Sequence, residues 1–319
     1  MSGQAQSGQF VRFVPLSRAL RSIIERRAHL QEPAMSNIEQ EVDESTHGTP
    51  TRAAWDRIAA RYDSTNTPTQ MWLANEGLRR AGVEPRMQLL DVAAGSGALS
   101  IPAARIGARV LAVDQSAAML DLLARRAVEE GLGIETRVMD GHHLELADAH
   151  FDVVGSQFGV MLFPDMPRGI REMARVVKHG GCVLVIAYGD PHKIDFLGFL
   201  VSAIQVVRPA FTGPPMQPTP LPFQLQDPQR LRHELEAAGL KHVRVETITE
   251  TTKFQRGTQL WEWLLASNPI VEAVLAELTL TAKETEVIQQ ALEQLVRRRA
   301  DSSGFAALTN PVNIGMGMR

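Results

Sequence analysis

The residues best suited to bind a ligand lie at positions 89–97, where an apolar run ends in a turn with two glycines. Gly95 and Gly97 lack a Cβ atom, so the backbone at this turn can approach a ligand closely. A helical pattern starts directly after the turn, and the free N–H groups at a helix start favour anionic or polar ligand groups. This order of strand, glycine turn and helix is typical of nucleotide sites in open α/β sheets.

Acidic residues end three successive predicted strands. Asp91, just before the turn, repels a pyrophosphate but suits the α-ammonium group of an amino acid. Asp114 can accept both hydroxyls of a ribose, as in NAD sites, and Asp140 can accept the amino group of adenine. Together they describe a nucleoside linked to a cationic amino acid, S-adenosyl-L-methionine. The dinucleotide pattern is matched only weakly, because GSGALS ends in serine, and a nucleotide fold with solvated acids stays an alternative.

The elements around the turn alternate between apolar strands and helices. Strands are expected at residues 87–92, 108–114, 134–140, 151–157 and 182–188, with helices at 98–106, 117–130 and 166–178 and a turn at 179–181. Apolar strands separated by helices indicate a parallel sheet that is covered on both faces. Two helices precede this unit, at 53–62 and 72–81. After it come an apolar helix, a proline-rich loop, further helices, and long strands at 242–254 and 305–318.

Five segments carry a resemblance to a known family: LLDVAAGSG, VLAVDQSAAML, MDGHHLELADAHFDVV, SQFGVMLFPD and REMARVVKHGGCVLVI. In order and spacing the chain resembles the class I S-adenosylmethionine-dependent methyltransferases, especially the ubiquinone/menaquinone C-methyltransferase-like branch (methyltransferase type 11). The resemblance is specific from about Trp55 to Tyr188. Ala93 stands where the commonest form has glycine, although the quinone branch also shows alanine there. The implied fold is a Rossmann-like, doubly wound α/β fold with a mostly parallel seven-stranded sheet and an antiparallel last strand. A helical lid follows the fifth strand, and helices lie between the last two strands.

The resemblance also implies a site for the methionine part of the cofactor. The backbone around it is that of Ala93, Ala94, Gly95 and Gly97. Asp91 is implied to bind the methionine part as well. Gln157 and Phe158 are implied to lie beneath the side of the cofactor that carries the sulfonium. Tyr62 either reaches the methionine carboxylate or packs on the core.

The adenosine part is implied to bind at the ends of the second and third strands. Asp114 takes the ribose, and Gln115 and Met119 flank the adenine, unless Met119 is plain helix core. Asp140 and the backbone of Gly141 and His142 bind the edge of the adenine. No metal is expected, because the adjacent side chains of His142 and His143 point apart in a strand-like segment.

Methyl transfer from a sulfonium mainly requires that the acceptor atom be held in line with the methyl carbon. Oxygen or activated-carbon acceptors often need a base, and His192, just after the fifth strand, is the candidate. The alternative is that His192 is an ordinary histidine in a surface loop, with no part in the reaction. Apolar residues predict a lid over an apolar or aromatic acceptor. The candidate acceptor residues are Trp55, Met161, Phe163, Tyr188, Phe196 and Phe199. The alternative is that the lid aromatics, with Phe211, Phe223, Trp261 and Trp263, merely build a satellite core.

Composition excludes several classes of protein. The chain has 319 residues, 44% hydrophobic and 22% charged, with a net charge of −3, so no basic field attracts nucleic acid. The segment SQFG also differs from the Asn/Asp-Pro-Pro-aromatic motif of nucleic-acid amine methyltransferases.

The single cysteine, Cys182, fits a reducing compartment, and residues 196–204 are too short to span a bilayer. With no signal peptide visible, a cytoplasmic protein is expected; a homodimer is compatible with the sequence.

The domain prediction has two parts. Residues 1–50 are expected to form a flexible N-terminal extension and linker, either an arginine-rich transit peptide or a dispensable segment before Met35. Residues 51–319 are expected to form a methyltransferase domain, with a cofactor-binding core at 51–188 and lid or substrate elements at 189–230 and 256–300. The resulting prediction is a methyltransferase that acts on a small molecule by O-, N- or C-methylation. The alternatives are a nicotinamide-dependent oxidoreductase and a non-catalytic module that binds S-adenosylmethionine.

Overall fold

The computed structural model describes residues 52–319, so the predicted extension and linker at 1–50 lie outside the described residues. Two helices come first, α1 (Arg52–Thr65) and α2 (Thr67–Arg80). The strands are β1 (Gln88–Val92), β2 (Arg109–Asp114), β3 (Ile134–Val138), β4 (Phe151–Gln157), β5 (Val177–Tyr188), β6 (Lys241–Phe254) and β7 (Ala306–Met318). The later helices are α3 (Ser100–Ile106), α4 (Ala117–Glu129), α5 (Met166–Val176), α6 (Asp195–Gln205), α7 (Pro228–Ala237), α8 (Gly257–Ser267), α9 (Pro269–Glu277) and α10 (Ala282–Arg299).

The strands form one seven-stranded sheet in the order β3-β2-β1-β4-β5-β7-β6. The pairs among β1 to β5 are parallel, whereas β7 runs antiparallel to both β5 and β6. The predicted sheet with an antiparallel last strand is therefore confirmed, as are the helix after the fifth strand and the helices between the last two strands.

The order of the strands reverses between β1 and β4. The chain runs outward from β1 through β2 to β3, then returns to the other side of β1 with β4 and β5. In open α/β sheets this reversal leaves a crevice at the carboxyl ends of the strands, which is where ligands bind. Here the crevice lies between the turns after Val92 and after Gln157.

Two large clusters of apolar side chains stabilise the fold. The first packs the helices against both faces of the central sheet and includes the apolar residues of β1, β4 and β5. The second lies under the lid and joins α6, α8 and α10 to the ends of β6 and β7. Phe196, Phe223, Trp261 and Trp263 are buried in this second cluster, so the lid aromatics do build a core of their own.

The structure differs from the sequence prediction at residues 177–181. Helix α5 ends at Val176, and the segment predicted as a turn belongs to β5. The register of β4 against β5 shifts between Phe151–Val177 and Val153–Cys182, so the glycines form an irregularity within the strand. Gly180 has a φ of 78°, a conformation that explains why a turn was predicted. None of the helices between Arg52 and Arg319 combines the length and the hydropathy that a membrane crossing requires.

Candidate functional site

The turn after β1 and the turn after β4 are in direct contact. Ala93 and Phe158 both have left-handed backbones, with φ of 56° and 54°, which is unusual for residues other than glycine and is concentrated at ligand sites. A Cβ on Gly159 would lie 2.6 Å from the Cβ of Ala93, so only glycine allows this approach. Gly97 is equally constrained, with a φ of 96° and the side chain of Leu123 behind it.

A cavity of about 330 Å³ opens beside these turns. Apart from Asp91 and Gly97, every residue predicted to bind the cofactor lines it. These are Tyr62, Ala93, Ala94, Gly95, Asp114, Gln115, Met119, Asp140, Gly141, His142, Gln157 and Phe158. Residues from six elements or their adjoining turns are thus brought to one place: α1, α4 and the ends of β1, β2, β3 and β4. Sequence analysis missed other lining residues, namely Arg52, Ala98, Met139, Gly159, Leu162 and Pro164.

Asp114 lies at the end of β2 and holds the glycine turn. Its Oδ2 accepts a hydrogen bond of 2.8 Å from the backbone N–H of Gly95, and its Oδ1 accepts one of 2.8 Å from Ser116. Burial raises the pKa of Asp114 above its ordinary value, although both backbone hydrogen bonds oppose this shift. Each carboxylate oxygen has a second lone pair, so Asp114 can still accept bonds from a ligand.

Asp91 is 1% exposed and is not among the residues that line the cavity. Its Oδ2 accepts a 2.6 Å hydrogen bond from the Ser100 hydroxyl, whereas its buried Oδ1 has no partner among residues 52–319. Burial raises the pKa of Asp91 to about 7, and the Ser100 hydrogen bond offsets this only in part. An unpaired carboxylate oxygen in such a position favours a cationic ligand group.

The third acid, Asp140, makes its contacts with its own neighbour. Its Oδ1 accepts a 2.9 Å hydrogen bond from the backbone N–H of His142 and lies 2.8 Å from Nδ1 of that ring. The pKa of Asp140 is lowered. Partial burial alone would raise this pKa, but the hydrogen bonds from His142 stabilise the ionised carboxylate and outweigh the effect of burial. The His142 ring packs against Phe163, with centroids 4.5 Å apart. Phe163, which was predicted to contact the acceptor, therefore lies on this smaller cavity instead.

A second cavity, of about 410 Å³, adjoins the first. The two share lining residues Trp55, Tyr62, Phe158 and Leu162. Most of the residues predicted to contact the acceptor line it, along with the candidate base: Trp55, Met161, Tyr188, Phe196 and His192. Phe199 does not line it; it packs against the second apolar cluster instead. No Asp, Glu, Lys or Arg is found among its lining residues within 52–319.

Aromatic rings form the wall that the two cavities share. Phe158 stacks on Tyr188, with ring centroids 4.4 Å apart and planes at 24°. Tyr188 also contacts Phe196 edge-on at 6.1 Å. His192, by contrast, is exposed on the short 3₁₀ helix Pro191–Lys193. Its backbone N–H, not its imidazole, is bound by the side chain of Asp190.

Helices α1 and α2 close this junction, and polar contacts hold them there. The hydroxyls of Thr67 and Ser96 lie 2.6 Å apart, which ties the start of α2 to the glycine turn. Gln157 Nε2 donates a 3.1 Å hydrogen bond to the backbone oxygen of Gln70. The Tyr62 hydroxyl donates a 3.0 Å hydrogen bond to Gln70 Oε1. Burial raises the pKa of Tyr62, so its proton stays in this contact.

Gln70 lines the larger cavity, and sequence analysis did not identify it. The predicted helix began at residue 72, whereas α2 begins at Thr67, directly after α1 ends. The missed signal is the helical spacing of Gln70 with the apolar residues Leu73, Ala74 and Leu78, which together form the buried face of α2.

Comparison with known proteins identifies the family. The family model described as a methyltransferase domain matches residues 90–185. A demethylmenaquinone methyltransferase of Mycobacterium sp. (strain KMS) is 31% identical over 206 residues, which cover 61% of this chain and 87% of that protein. The chain belongs to the class I S-adenosylmethionine-dependent methyltransferases, in their menaquinone-like branch. The resemblance inferred from the sequence is therefore confirmed.

Other relatives limit what this membership implies. An uncharacterized protein of Mycobacterium tuberculosis (strain H37Rv) is 36% identical over 133 residues, which cover 42% of this chain and 47% of that protein. This methyltransferase chain thus spans about half the length of that relative. The crystal structure of a Bacillus halodurans C-125 protein has the same fold. It aligns with a TM-score of 0.50 and 16% identity, over 77% of this chain and 97% of that one.

The cofactor of this methyltransferase family is S-adenosyl-L-methionine, and the smaller cavity has the chemistry to hold it. The unpaired Oδ1 of Asp91 suits the α-ammonium group, and it disfavours the pyrophosphate of a dinucleotide. Asp114 keeps acceptor capacity for ribose hydroxyls. The Met119 side chain and the His142–Phe163 pair offer apolar and aromatic surface to a purine.

Proposed function

We propose that this protein transfers a methyl group from S-adenosyl-L-methionine to an apolar or aromatic small molecule, by O-, N- or C-methylation. The observation that carries the proposal is the pair of adjoining cavities with opposite character. The smaller one is lined by the carboxylates of Asp114 and Asp140, and the larger one has no charged lining side chain within residues 52–319. A polar cofactor and an apolar acceptor would therefore meet at the wall formed by Trp55, Tyr62 and Phe158.

The proposed cofactor contacts are supported by the position and chemistry of each group. Asp91 binds the ammonium group, the backbone at Ala93–Gly97 surrounds the methionine, and Asp114 binds the ribose. The backbone of Gly141 and His142 contacts the adenine edge, with Gln115 and Met119 on its faces. The role of Asp140 is proposed as positioning His142, because one of its oxygens is already bound to that residue.

When bound, S-adenosyl-L-methionine supplies an electrophilic methyl group on a positively charged sulfur. The protein's main contribution is then to hold the acceptor atom close and in line, an effect worth up to about 7–11 kcal/mol. When the acceptor reacts as an anion, its charge and that of the sulfonium cancel, so the apolar surroundings of Phe158, Tyr188 and Phe196 favour the step by excluding water. A neutral acceptor takes over the positive charge and loses it with a proton. The lid helices α6 and α9 contribute Leu200 and Ile270 to the same enclosure.

His192 is proposed as a base for acceptors that lose a proton on methylation. Its support is that it lines the larger cavity. Its exposure on the surface fits proton exchange with solvent. A His192→Asn variant distinguishes the cases: loss of transfer to a hydroxyl acceptor, with binding of S-adenosylhomocysteine unchanged, supports a base. Equal rates in variant and wild type assign His192 to the cavity rim alone.

The proposed setting is the cytoplasm, without nucleic-acid partners. A net charge of −3 gives no general attraction to phosphate, and the only cysteine, Cys182, is buried and unpaired. A homodimer is compatible with this proposal, and the sedimentation coefficient of the purified protein decides it.

Two measurements test the function. Isothermal calorimetry compares S-adenosylhomocysteine with NAD, and we expect binding of the first only. Methyl-labelled S-adenosylmethionine is then incubated with a panel of hydroxyl, amine and activated-carbon aromatic acceptors, and labelled products are sought. Binding of NAD in place of S-adenosylhomocysteine contradicts the cofactor assignment. Cofactor binding with no labelled product across the panel favours a non-catalytic binding module.

A further inference from the structure

We propose that Gln70 selects the acceptor, through a hydrogen bond from its side-chain N–H group to an oxygen atom of an otherwise apolar molecule. This inference rests on the proposed methyl transfer and adds to it a chemical requirement on the acceptor. It concerns the polar group at the inner end of the larger cavity, where that cavity meets the cofactor site.

The Gln70 side chain is buried but has an unused donor. It is 5% exposed and lines the larger cavity. Its Oε1 accepts the hydrogen bond from Tyr62, while its Nε2 has no hydrogen-bonding partner among residues 52–319. Because the Tyr62 hydroxyl occupies Oε1, the amide is fixed with its N–H groups directed elsewhere. Nε2 is not fully enclosed by protein atoms, so it has access to the cavity and can donate a hydrogen bond to a ligand oxygen there.

The support for Gln70 is rigid. Its backbone oxygen accepts from Gln157 Nε2 at 3.1 Å, which ties α2 to the end of β4. Three residues before it, Thr67 is bound to Ser96 of the glycine turn. Gln70 is thus held from the end of β4 and from the turn after β1, so its side-chain N–H group keeps a fixed position relative to the smaller cavity. A fixed donor discriminates between ligands better than a mobile one, because no ordering entropy is lost on binding.

Other polar residues line the same cavity, but all are less buried than Gln70. His192, Ser202 and Thr212 are exposed. Ser267 and Asn268 are half-buried; the Ser267 hydroxyl donates to the Leu264 backbone oxygen, and Asn268 Oδ1 accepts from the Ile270 N–H. The Tyr188 hydroxyl has no hydrogen-bonding partner among the described residues and can assist Gln70 as a second donor. With donors present and no carboxylate on the cavity, an oxygen acceptor is favoured over a cationic amine.

Ring-matched probes test this inference by measuring binding to protein saturated with S-adenosylhomocysteine. The probes are 1-tetralone, which has a carbonyl oxygen, tetralin, which has none, and 1-aminotetralin, which is cationic at pH 7. For the wild type we expect 1-tetralone to bind about 5- to 10-fold more tightly than tetralin, as one net hydrogen bond implies. We expect 1-aminotetralin to bind least well.

Two variants then assign the preference to Gln70. Gln70→Met removes the amide oxygen together with the amide NH₂ group, and this variant is expected to bind 1-tetralone and tetralin equally. Gln70→Glu keeps an oxygen for Tyr62 but replaces the donor with a carboxylate, so 1-aminotetralin is expected to become the preferred probe. Such an inversion does not arise from misfolding. S-adenosylhomocysteine is titrated into each variant, and its affinity is expected to stay within about twofold of wild type.

The outcomes separate the inference from the proposed function. If wild type fails to bind S-adenosylhomocysteine, the proposed function is wrong whatever the probes do. If it binds that compound but shows no preference for 1-tetralone over tetralin, or binds neither, the role of Gln70 is wrong. A preference that persists in both Gln70 variants also overturns it and assigns the donor to another group.

Discussion

The carboxylate of Asp114 is bound to the backbone N–H of Gly95 across a distance of 2.8 Å, which joins the end of β2 to the turn after β1. The second oxygen of Asp114 anchors Ser116, the residue that caps α4 by accepting from the Met119 N–H. One side chain therefore holds both the glycine turn and the start of α4. The proposed role of Asp114 is thus twofold: to bind the cofactor directly and to hold the turn that surrounds it.

The first prediction concerns Asp114→Ala. Removal of the carboxylate leaves the Gly95 N–H unpaired and removes the acceptor for the ribose. We expect the affinity for S-adenosylhomocysteine to fall by about 1–3 kcal/mol, or roughly 5- to 150-fold in Kd. Isothermal calorimetry measures this change. Asp121→Ala, on the exposed side of α4, serves as the control and should bind normally. Near-wild-type affinity in Asp114→Ala contradicts the assignment.

The second prediction follows from the pKa of Asp91, which burial raises to about 7. A cationic ammonium group binds the ionised carboxylate, so complex formation releases a proton below that pH. Between pH 6 and pH 8 the ionised fraction of Asp91 grows about tenfold, and the affinity for S-adenosylhomocysteine should rise in proportion. Calorimetry across this range tests the slope. Asp91→Asn should bind weakly with no such rise, and an equal slope in wild type and variant would count against the role.

Much of the fold and of the cofactor cavity was predictable, because both depend on local signals. Strand β1, the glycine turn and Asp114 follow one another at spacings that a parallel sheet converts into proximity. Phe163 was assigned to the other cavity because sequence does not give the direction of a side chain after a 3₁₀ turn. Its ring meets His142, a contact made between residues that are close only in the folded chain.

Residues at the junction of the cavities were less predictable. Gln70 depends on where α2 begins, and helix boundaries are set by tertiary contacts such as that between Thr67 and Ser96. Asp91 was expected at the ligand surface, but it is 1% exposed, and the Ser100 hydroxyl binds its Oδ2, so that only Oδ1 remains unpaired. Such details depend on packing between distant elements, which periodicity and composition do not encode.

A third prediction concerns Glu250, a buried carboxyl on β6 that the proposed reaction does not use. Burial raises its pKa to about 7, and the Asn310 side chain, 3.4 Å away, offsets this only weakly. The folded protein favours the protonated carboxyl of Glu250. Its contribution to the free energy of unfolding is therefore fully present below the ordinary pKa of glutamate and is lost as the pH rises through 7. The maximum loss is about 3 kcal/mol in the free energy of unfolding.

Replacement of this carboxyl with an amide should remove that loss. We expect Glu250→Gln to unfold at a higher denaturant concentration than wild type at pH 8 and at a similar one at pH 5. Urea titrations at both values measure it. Part of the pH dependence should survive because Asp91 titrates in the same range. Glu262→Gln, an exposed position on α8, should show no pH-dependent difference; the same behaviour in both variants would exclude a specific effect of burial.

The last prediction concerns the closure of the larger cavity, the proposed acceptor site, by α9. Ile270, Val271 and Val274 of this helix line the cavity, and Glu272 pairs with Arg61 at 2.9 Å and with Arg57 at 3.4 Å on α1. All three charged side chains retain solvent exposure, so the pairs should contribute less than about 1 kcal/mol to global stability.

Glu272→Gln should therefore leave the unfolding midpoint nearly unchanged, while α9 opens more often. We expect amide hydrogen exchange to accelerate within residues 269–277 and tetralin to enter the cavity faster. Glu277→Gln is the matched control, because this exposed residue ends the same helix and makes no ion pair with any described residue. Equal exchange rates in the two variants would show that α9 is held by its apolar contacts, among them Leu275 with the second cluster, and not by the pairs with α1.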